Sequence, residues 1–247
     1  MVWGSFGIVH ISSLLIGAVM IIGLYFLLRK ATEKVKTIVL GILSFSGIAA
    51  IIFNLVTWGT PFEYLPLHLC SLTAMVLPIA VFTRSKVLSN LLLLWSLGAL
   101  MALIVNSAQA NFVILSPTFF FYFFPHLLEF GIPILLFRLG MVKKDVKCIV
   151  STVGITLVIY TLIHFANVWL NNYFVAEQIM NPSGSVIQVN YMYSLNPANP
   201  VLALFWSFVP HAYWYMLPAF LIIVVYLAFV YIKQIKEFFI RRKITTI

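Results

Sequence analysis

Residues 7–36 read GIVHISSLLIGAVMIIGLYFLLRKATEKVK. An almost wholly apolar run, 7–28, stops at Arg29 and Lys30, with Lys34 and Lys36 close behind. About 20 apolar residues cross the hydrocarbon core as a helix, so the run has the length of one crossing. No basic residue precedes it, and it is too long for a signal-peptide core, so it reads as a retained helix. The pattern then recurs. Six further apolar segments follow, roughly 38–58, 67–83, 87–105, 119–138, 148–170 and 208–232. The third is short and contains Pro78, a position where a bundle must re-satisfy a freed carbonyl from its neighbours.

The charges fix how these segments alternate. Arg84 and Lys86 separate the third and fourth segments. Arg138, Lys143, Lys144 and Lys147 separate the fifth and sixth. Lys233, Lys236, Arg241, Arg242 and Lys243 follow the seventh. With the four after the first segment, these are all 15 basic residues of the chain. Lysine and arginine collect in cytoplasmic loops. The reading is therefore an all-α, polytopic membrane helix bundle with seven transmembrane helices, the N-terminus outside and the C-terminus cytoplasmic. Residues 1–247 form a single transmembrane domain of the plasma membrane, with one long outer loop, 171–207. Miscounting by one helix would put basic loops on both sides.

Composition agrees. Of 247 residues, 63% are hydrophobic and 9% charged, against about a quarter charged in soluble domains. The net charge of +9 is explained by topology, and no interleaving of aromatic and basic residues suggests nucleic acid. The two cysteines, Cys70 and Cys148, fall at opposite membrane faces, which argues against a disulfide between them. The long outer loop carries turn signals at 181–184, 196–197 and 199–200. Its stretch Val201–Trp206 is apolar enough to dip back into the interface. No repeat, low-complexity tract, appended soluble domain or nucleotide-binding loop is present.

All five histidines, His10, His68, His126, His164 and His211, fall in the outer half of their helices or at the outer ends. Histidine tolerates the interface, which accounts for His10 and His211 equally well. His126 lies deeper, roughly 10 Å into its helix at 1.5 Å per residue. Glu129 is its neighbour one turn further on, roughly 15 Å deep. A carboxyl there is costly unless neutral or paired, and is a functional candidate or a buried packing group. His68 and Cys70 are two apart, so on a regular helix they face away from each other. A base for Cys70 must come from another helix, and His126 is the candidate; taken alone, Cys70 reads as an inert small packer. Tyr160, His164, Asn167 and Asn171 form one face of the sixth helix, pointing at other helices or a wet cavity. Asn106, Ser107, Gln109 and Asn111 follow the fourth helix. No H-x-x-x-H or H-E-x-x-H spacing suggests a metal site, and nothing calls for a cofactor.

Polar groups thus gather in the outer half, and the inner half is nearly featureless. A channel or proton-driven transporter would line its whole path with polar groups. A one-sided site suits an enzyme acting on membrane lipids or an outward-facing binding pocket. The rival readings are a transporter or solute-binding membrane subunit using His164, Asn167, Glu129 and His126, and a non-catalytic scaffold.

The run Leu65-Pro66-Leu67-His68-Leu69-Cys70, Gly98, and His126 in an aromatic helix resemble the YwaF-like family of bacterial integral membrane proteins. Asn190-Tyr191-Met192-Tyr193, Pro197 and Tyr213-Trp214-Tyr215 fit its C-terminal pattern. That family is similar to a eukaryotic group of transmembrane phospholipid acyltransferases. The resemblance implies acyl transfer or acyl hydrolysis at the outer leaflet. It implies Cys70 as nucleophile and His126 as general base, with Glu129 beside them. His68, Asn106, His164, Asn167, Asn190, Tyr191 and Trp214 would then face a phospholipid or other acyl-lipid substrate.

The topology has a direct check. Reporter fusions after Lys36, Lys86, Lys144 and Lys243 are expected to read cytoplasmic, and fusions near Gly59, Gln109 and Ser183 external. One basic loop found outside would overturn the helix count.

Overall fold

The computed structural model describes residues 3–4, 6–58, 60–105 and 112–237. They form α1 (Ile8–Leu28), α2 (Glu33–Ser44), α3 (Ser46–Thr57), α4 (Leu69–Thr83), α5 (Lys86–Ile104), α6 (Pro117–Arg138), α7 (Cys148–Ala176), α8 (Pro200–Phe208) and α9 (Leu217–Val230). Among the described residues there are no strands, only an isolated bridge between Met180 and Val186.

Local chemistry sets the helix ends. Thr32, Ser85, Ser116 and Asn199 each cap a helix, their side-chain oxygens accepting from the amides of Val35, Leu88, Phe119 and Leu202. Pro117 and Pro200 occupy first positions, where a missing N–H costs nothing. By length and composition, α1, α2 with α3, α5, α6 and α7 are long and apolar enough to cross a membrane. Leu69–Thr83 and Trp214–Val230 are shorter apolar helices.

Four stretches differ from the sequence reading. The segment expected over 38–58 starts at Glu33, because Thr32 caps it, and breaks at Phe45. The Phe45 amide bonds back to Ile42, a tightened turn at the small-residue run Ser44, Ser46, Gly47. The third segment begins at Leu69, leaving His68 extended as its N-cap. The stretch Val201–Trp206 is α8, whose 9 residues span only about 14 Å, too short to cross. The last segment, expected over 208–232, is helical as α9 from Leu217.

The core sits on α5 and α6. Trp95, Leu92, Ile132, Leu135 and Leu136 are fully enclosed, with α4 and α7 against α5, and α2 and α3 against α4 and α6. α1 is peripheral and shows much of its surface to lipid, including Ile8, Leu15, Val19 and Leu27. Close approach needs glycine where α3 meets α4 and α6. A Cβ on Gly47 would lie 2.5 Å from Ala74 Cβ and 2.9 Å from Glu129 Oε1.

The described basic loops meet at one end. Arg84 Nη1 pairs with Glu33 Oε2 at 3.0 Å, and buried Lys36 donates to Glu33 at 2.7 Å and to the Leu139 carbonyl at 3.2 Å. Lys86 faces Asp145 at 3.9 Å, and Lys144 donates to the Val230 carbonyl at 3.0 Å. Asn90, wholly buried, accepts from Tyr231 and donates to the Lys86 carbonyl. α2, α5, α6, α7 and α9 are therefore clasped together at the basic end, and the histidines lie at the other.

Candidate functional site

At the end opposite the basic loops, α4 starts sharply. Pro66 and an extended His68 precede Leu69, so Cys70 is the second residue of the helix. The first intrahelical bond runs from Leu72 N to the His68 carbonyl, 3.0 Å. The amides of Cys70 and Ser71 precede it and belong to the group a helix leaves unpaired at its N-terminus. These two amides and the Ser71 hydroxyl are the polar groups that act on the half-buried Cys70 thiol. A helix N-terminus favours a thiolate and burial disfavours one; at Cys70 both act. Both cysteines are free.

Glu129 approaches from α6. It is 3% exposed, and its charge interactions are with His126 and Cys70. Its Oε2 has no hydrogen-bond partner, one of two such buried side-chain atoms among the described residues; the other is Ser89 Oγ near the basic end. A buried polar atom without a partner calls for an explanation.

His126 follows Pro125, which removes the amide that would meet the Phe121 carbonyl. One residue on, His126 Nδ1 lies 2.6 Å from the Tyr122 carbonyl oxygen. A carbonyl only accepts, so Nδ1 carries the proton and the neutral ring keeps its lone pair on Nε2. The Cys70 thiol makes no hydrogen bond to this ring in the structure; Glu129 stands in electrostatic range of both.

The outer loop closes over α4. His68 Nδ1 accepts from the Met192 amide at 3.3 Å, and its ring packs against those of Tyr191 and Tyr193 at 5.5 and 5.4 Å. Tyr193 in turn interacts with Cys70. Met192 and Tyr193 both have left-handed backbones, φ 52° and 54°. Consecutive non-glycine residues in that region carry strain that the surroundings must hold.

Those surroundings are the polar face of α7. Asn167 donates to the Tyr191 carbonyl at 2.8 Å and to Ser194 Oγ at 2.9 Å, and accepts from the Tyr191 amide at 2.9 Å. Asn171 does the same to both backbone groups of Val189, at 2.9 and 2.8 Å. Four residues along a helix rise about 6 Å, and two along an extended chain about 6.6 Å, so the two asparagines match alternate loop residues. Asn190 holds the next turn through the Asn196 carbonyl, 2.9 Å, and the Leu195 amide, 2.9 Å. The Tyr191 hydroxyl donates to the Phe62 carbonyl; burial pushes its phenol up to about 12, so it donates as a neutral group. His164 reaches Ser194 Oγ at 3.1 Å.

Glu129 thus lies in electrostatic range of both His126 and Cys70, and His68 caps the helix that carries Cys70. His164, Asn167, Asn190 and Tyr191 each have a protein partner in the loop. Trp214 is exposed, its ring 5.0 Å from Tyr213. Asn106 lies outside the described residues. Of the other histidines, His10 is wholly buried and bonded to the Leu103 carbonyl at 2.7 Å, and His211 is exposed. Tyr193 was legible only as part of the Asn190-Tyr191-Met192-Tyr193 run; the left-handed backbone that sets it on the His68 ring leaves no composition signal. Among the described residues no group of three or more His, Cys, Asp or Glu could hold a metal. A separate cavity of about 260 Å3 between α1, α2 and α6 is lined by apolar residues such as Ile21, Leu24, Leu43 and Leu128.

A helix bundle with several membrane-spanning helices and a buried polar cluster at one end is a multipass membrane protein. Residues 5–231 match the TMEM164 family, and the chain belongs to that family. Neither a curated protein nor a solved structure matches it.

The loop clamp has a test. Asn167→Ala removes three hydrogen bonds; it leaves the Tyr191 amide unpaired, a cost of about 1–3 kcal/mol, and the Tyr191 carbonyl with only the Ser194 amide at 3.4 Å. Limited proteolysis is expected to cut the 181–194 region at least tenfold faster, with the Asn171→Ala change smaller; unchanged cleavage would mean that the asparagines do not hold the loop.

Proposed function

We propose that the chain is a lipid-modifying enzyme that transfers or hydrolyses acyl groups through Cys70 and His126. The observation that carries this reading is the convergence of three groups from two helices. Cys70 sits at a helix N-terminus, His126 holds its lone pair on Nε2, and the unpartnered Glu129 carboxyl interacts with both. The YwaF-like resemblance, with its link to phospholipid acyltransferases, supplies the same pair of roles.

In this mechanism His126 Nε2 takes the thiol proton and the sulfur attacks the carbonyl carbon of a lipid acyl ester. The carbonyl π pair moves onto oxygen. It returns as the ester C–O bond breaks, and the departing lysolipid oxygen takes the proton from His126. Water or a second lysolipid hydroxyl then attacks the Cys70 thioester as His126 takes its proton; the C–S bond breaks, the Cys70 sulfur leaves with that proton, and a free acid or a new ester is released. Glu129 stabilises the imidazolium formed in each half, and the Tyr122 carbonyl keeps the ring in the required tautomer. The bundle crosses the plasma membrane seven times in this reading, N-terminus outside, which puts the site in the outer leaflet. Membrane lipids are its substrates.

Proteoliposomes carrying a fluorescent acyl-phospholipid test the reading by acyl release or exchange. Cys70→Ala and Cys70→Ser are expected to abolish it, and His126→Ala to lower it by about 10²–10⁴-fold, with folded protein recovered in each case. Full activity in Cys70→Ala would remove the covalent mechanism. Absence of any turnover by the unaltered protein across phospholipid classes would favour a non-catalytic scaffold.

A further inference from the structure

His68 and His126 are held in opposite tautomers. The Tyr122 carbonyl can only accept, which puts the His126 proton on Nδ1. The Met192 amide can only donate, which puts the His68 lone pair on Nδ1 and its proton on Nε2. A ring locked this way cannot act as a base through Nε2. It is a neutral N–H donor instead. Its Nε2 has no hydrogen-bond partner among the described residues, although the ring is wedged between Tyr191 and Tyr193. Tyr193 packs on the His68 ring and also lies in electrostatic range of Cys70. His68 is the N-cap of α4 and Cys70 its second residue, so both open the same helix end, where the first-turn amides have no helical partner, and Glu129 of α6 lies in electrostatic range of the thiol.

We propose that His68 is the oxyanion donor of the site: its Nε2–H hydrogen-bonds the acyl carbonyl oxygen as negative charge develops there. The inference rests on the Cys70 acyl-transfer reading. When the thiolate sulfur bonds to the carbonyl carbon, the π pair becomes a localised charge on oxygen. A donor fixed before the reaction stabilises that charge without reorganising. The first-turn amides of α4 add their own positive field. The strained Met192–Tyr193 backbone then has a purpose: it aims the Met192 amide at Nδ1 and so sets which nitrogen of His68 faces the substrate. Two histidines that look alike in the sequence divide the work, one moving the proton and the other holding the charge.

The test uses the full-length protein in detergent with p-nitrophenyl octanoate as the acyl donor and iodoacetamide as a thiol probe. Acylation of Cys70 is followed by intact mass and p-nitrophenolate release. His68→Asn keeps an acceptor near Nδ1 for the Met192 amide but loses the Nε2 donor. It is expected to slow acylation about a hundredfold, while alkylation of Cys70 by iodoacetamide, which forms no oxyanion, stays within about twofold. His68→Gln, which returns an N–H near Nε2, is expected to recover most of the acylation rate. An Asn variant that acylates at the normal rate overturns the proposal, and so does a parallel fall in alkylation, which would make His68 a contributor to thiolate formation. No acylation of the unaltered protein overturns the Cys70 reading, and this one with it.

Discussion

Lipid offers no hydrogen-bond partner, so every buried polar group of this chain must find one inside the protein. That constraint explains most of what holds the bundle in register. Asn90 bonds Tyr231 and the Lys86 carbonyl, tying α5 to the residues after α9. Lys36 bonds Glu33 and the last turns of α6. Asn167 and Asn171 each engage both backbone groups of a loop residue. Against this background the lone oxygen of Glu129 stands out. A packing role would have been met more cheaply by an apolar side chain, and the residues it does feel are His126 and Cys70.

The same rule decides the chemistry available to the histidines. His126 and His68 each have one nitrogen committed to backbone, and the direction of that bond fixes the other nitrogen. His126 is left as an acceptor and His68 as a donor. His10 has both nitrogens occupied, by the Phe6 amide and the Leu103 carbonyl, and is structural. Five histidines at one end of the bundle are therefore not one metal-like cluster but separate devices sorted by their partners.

How far the sequence reached follows from what each signal depends on. The apolar runs and the fifteen basic residues made the membrane bundle and the gathering of charge at one end legible, because composition alone carries both. Glu129 beside His126 was legible from spacing on one helix. The kink at Phe45 was not, since a 38–58 run of apolar residues hides a turn set by Ser44 and Gly47. The start of α4 was misplaced by two residues, and that small shift matters. It turns His68 from a helical residue into the extended N-cap of the helix that carries Cys70. The asparagine ladder was seen as a polar stripe, but its partner, an extended loop segment about twenty residues downstream, leaves no periodic trace. The packing of Tyr193 on His68 was hidden for the same reason.

The central claim is that Cys70 is activated by His126 and is not an inert packing residue. The alkylation rate of Cys70 measures this most directly, in a Cys148→Ser background that leaves it the single cysteine. Iodoacetamide kinetics at neutral pH, compared with and without His126→Ala, report the thiolate that the histidine maintains. The account predicts a fall of at least about tenfold on loss of the imidazole, with thermal stability little changed. An equal rate in both proteins would contradict it and return Cys70 to the helix core.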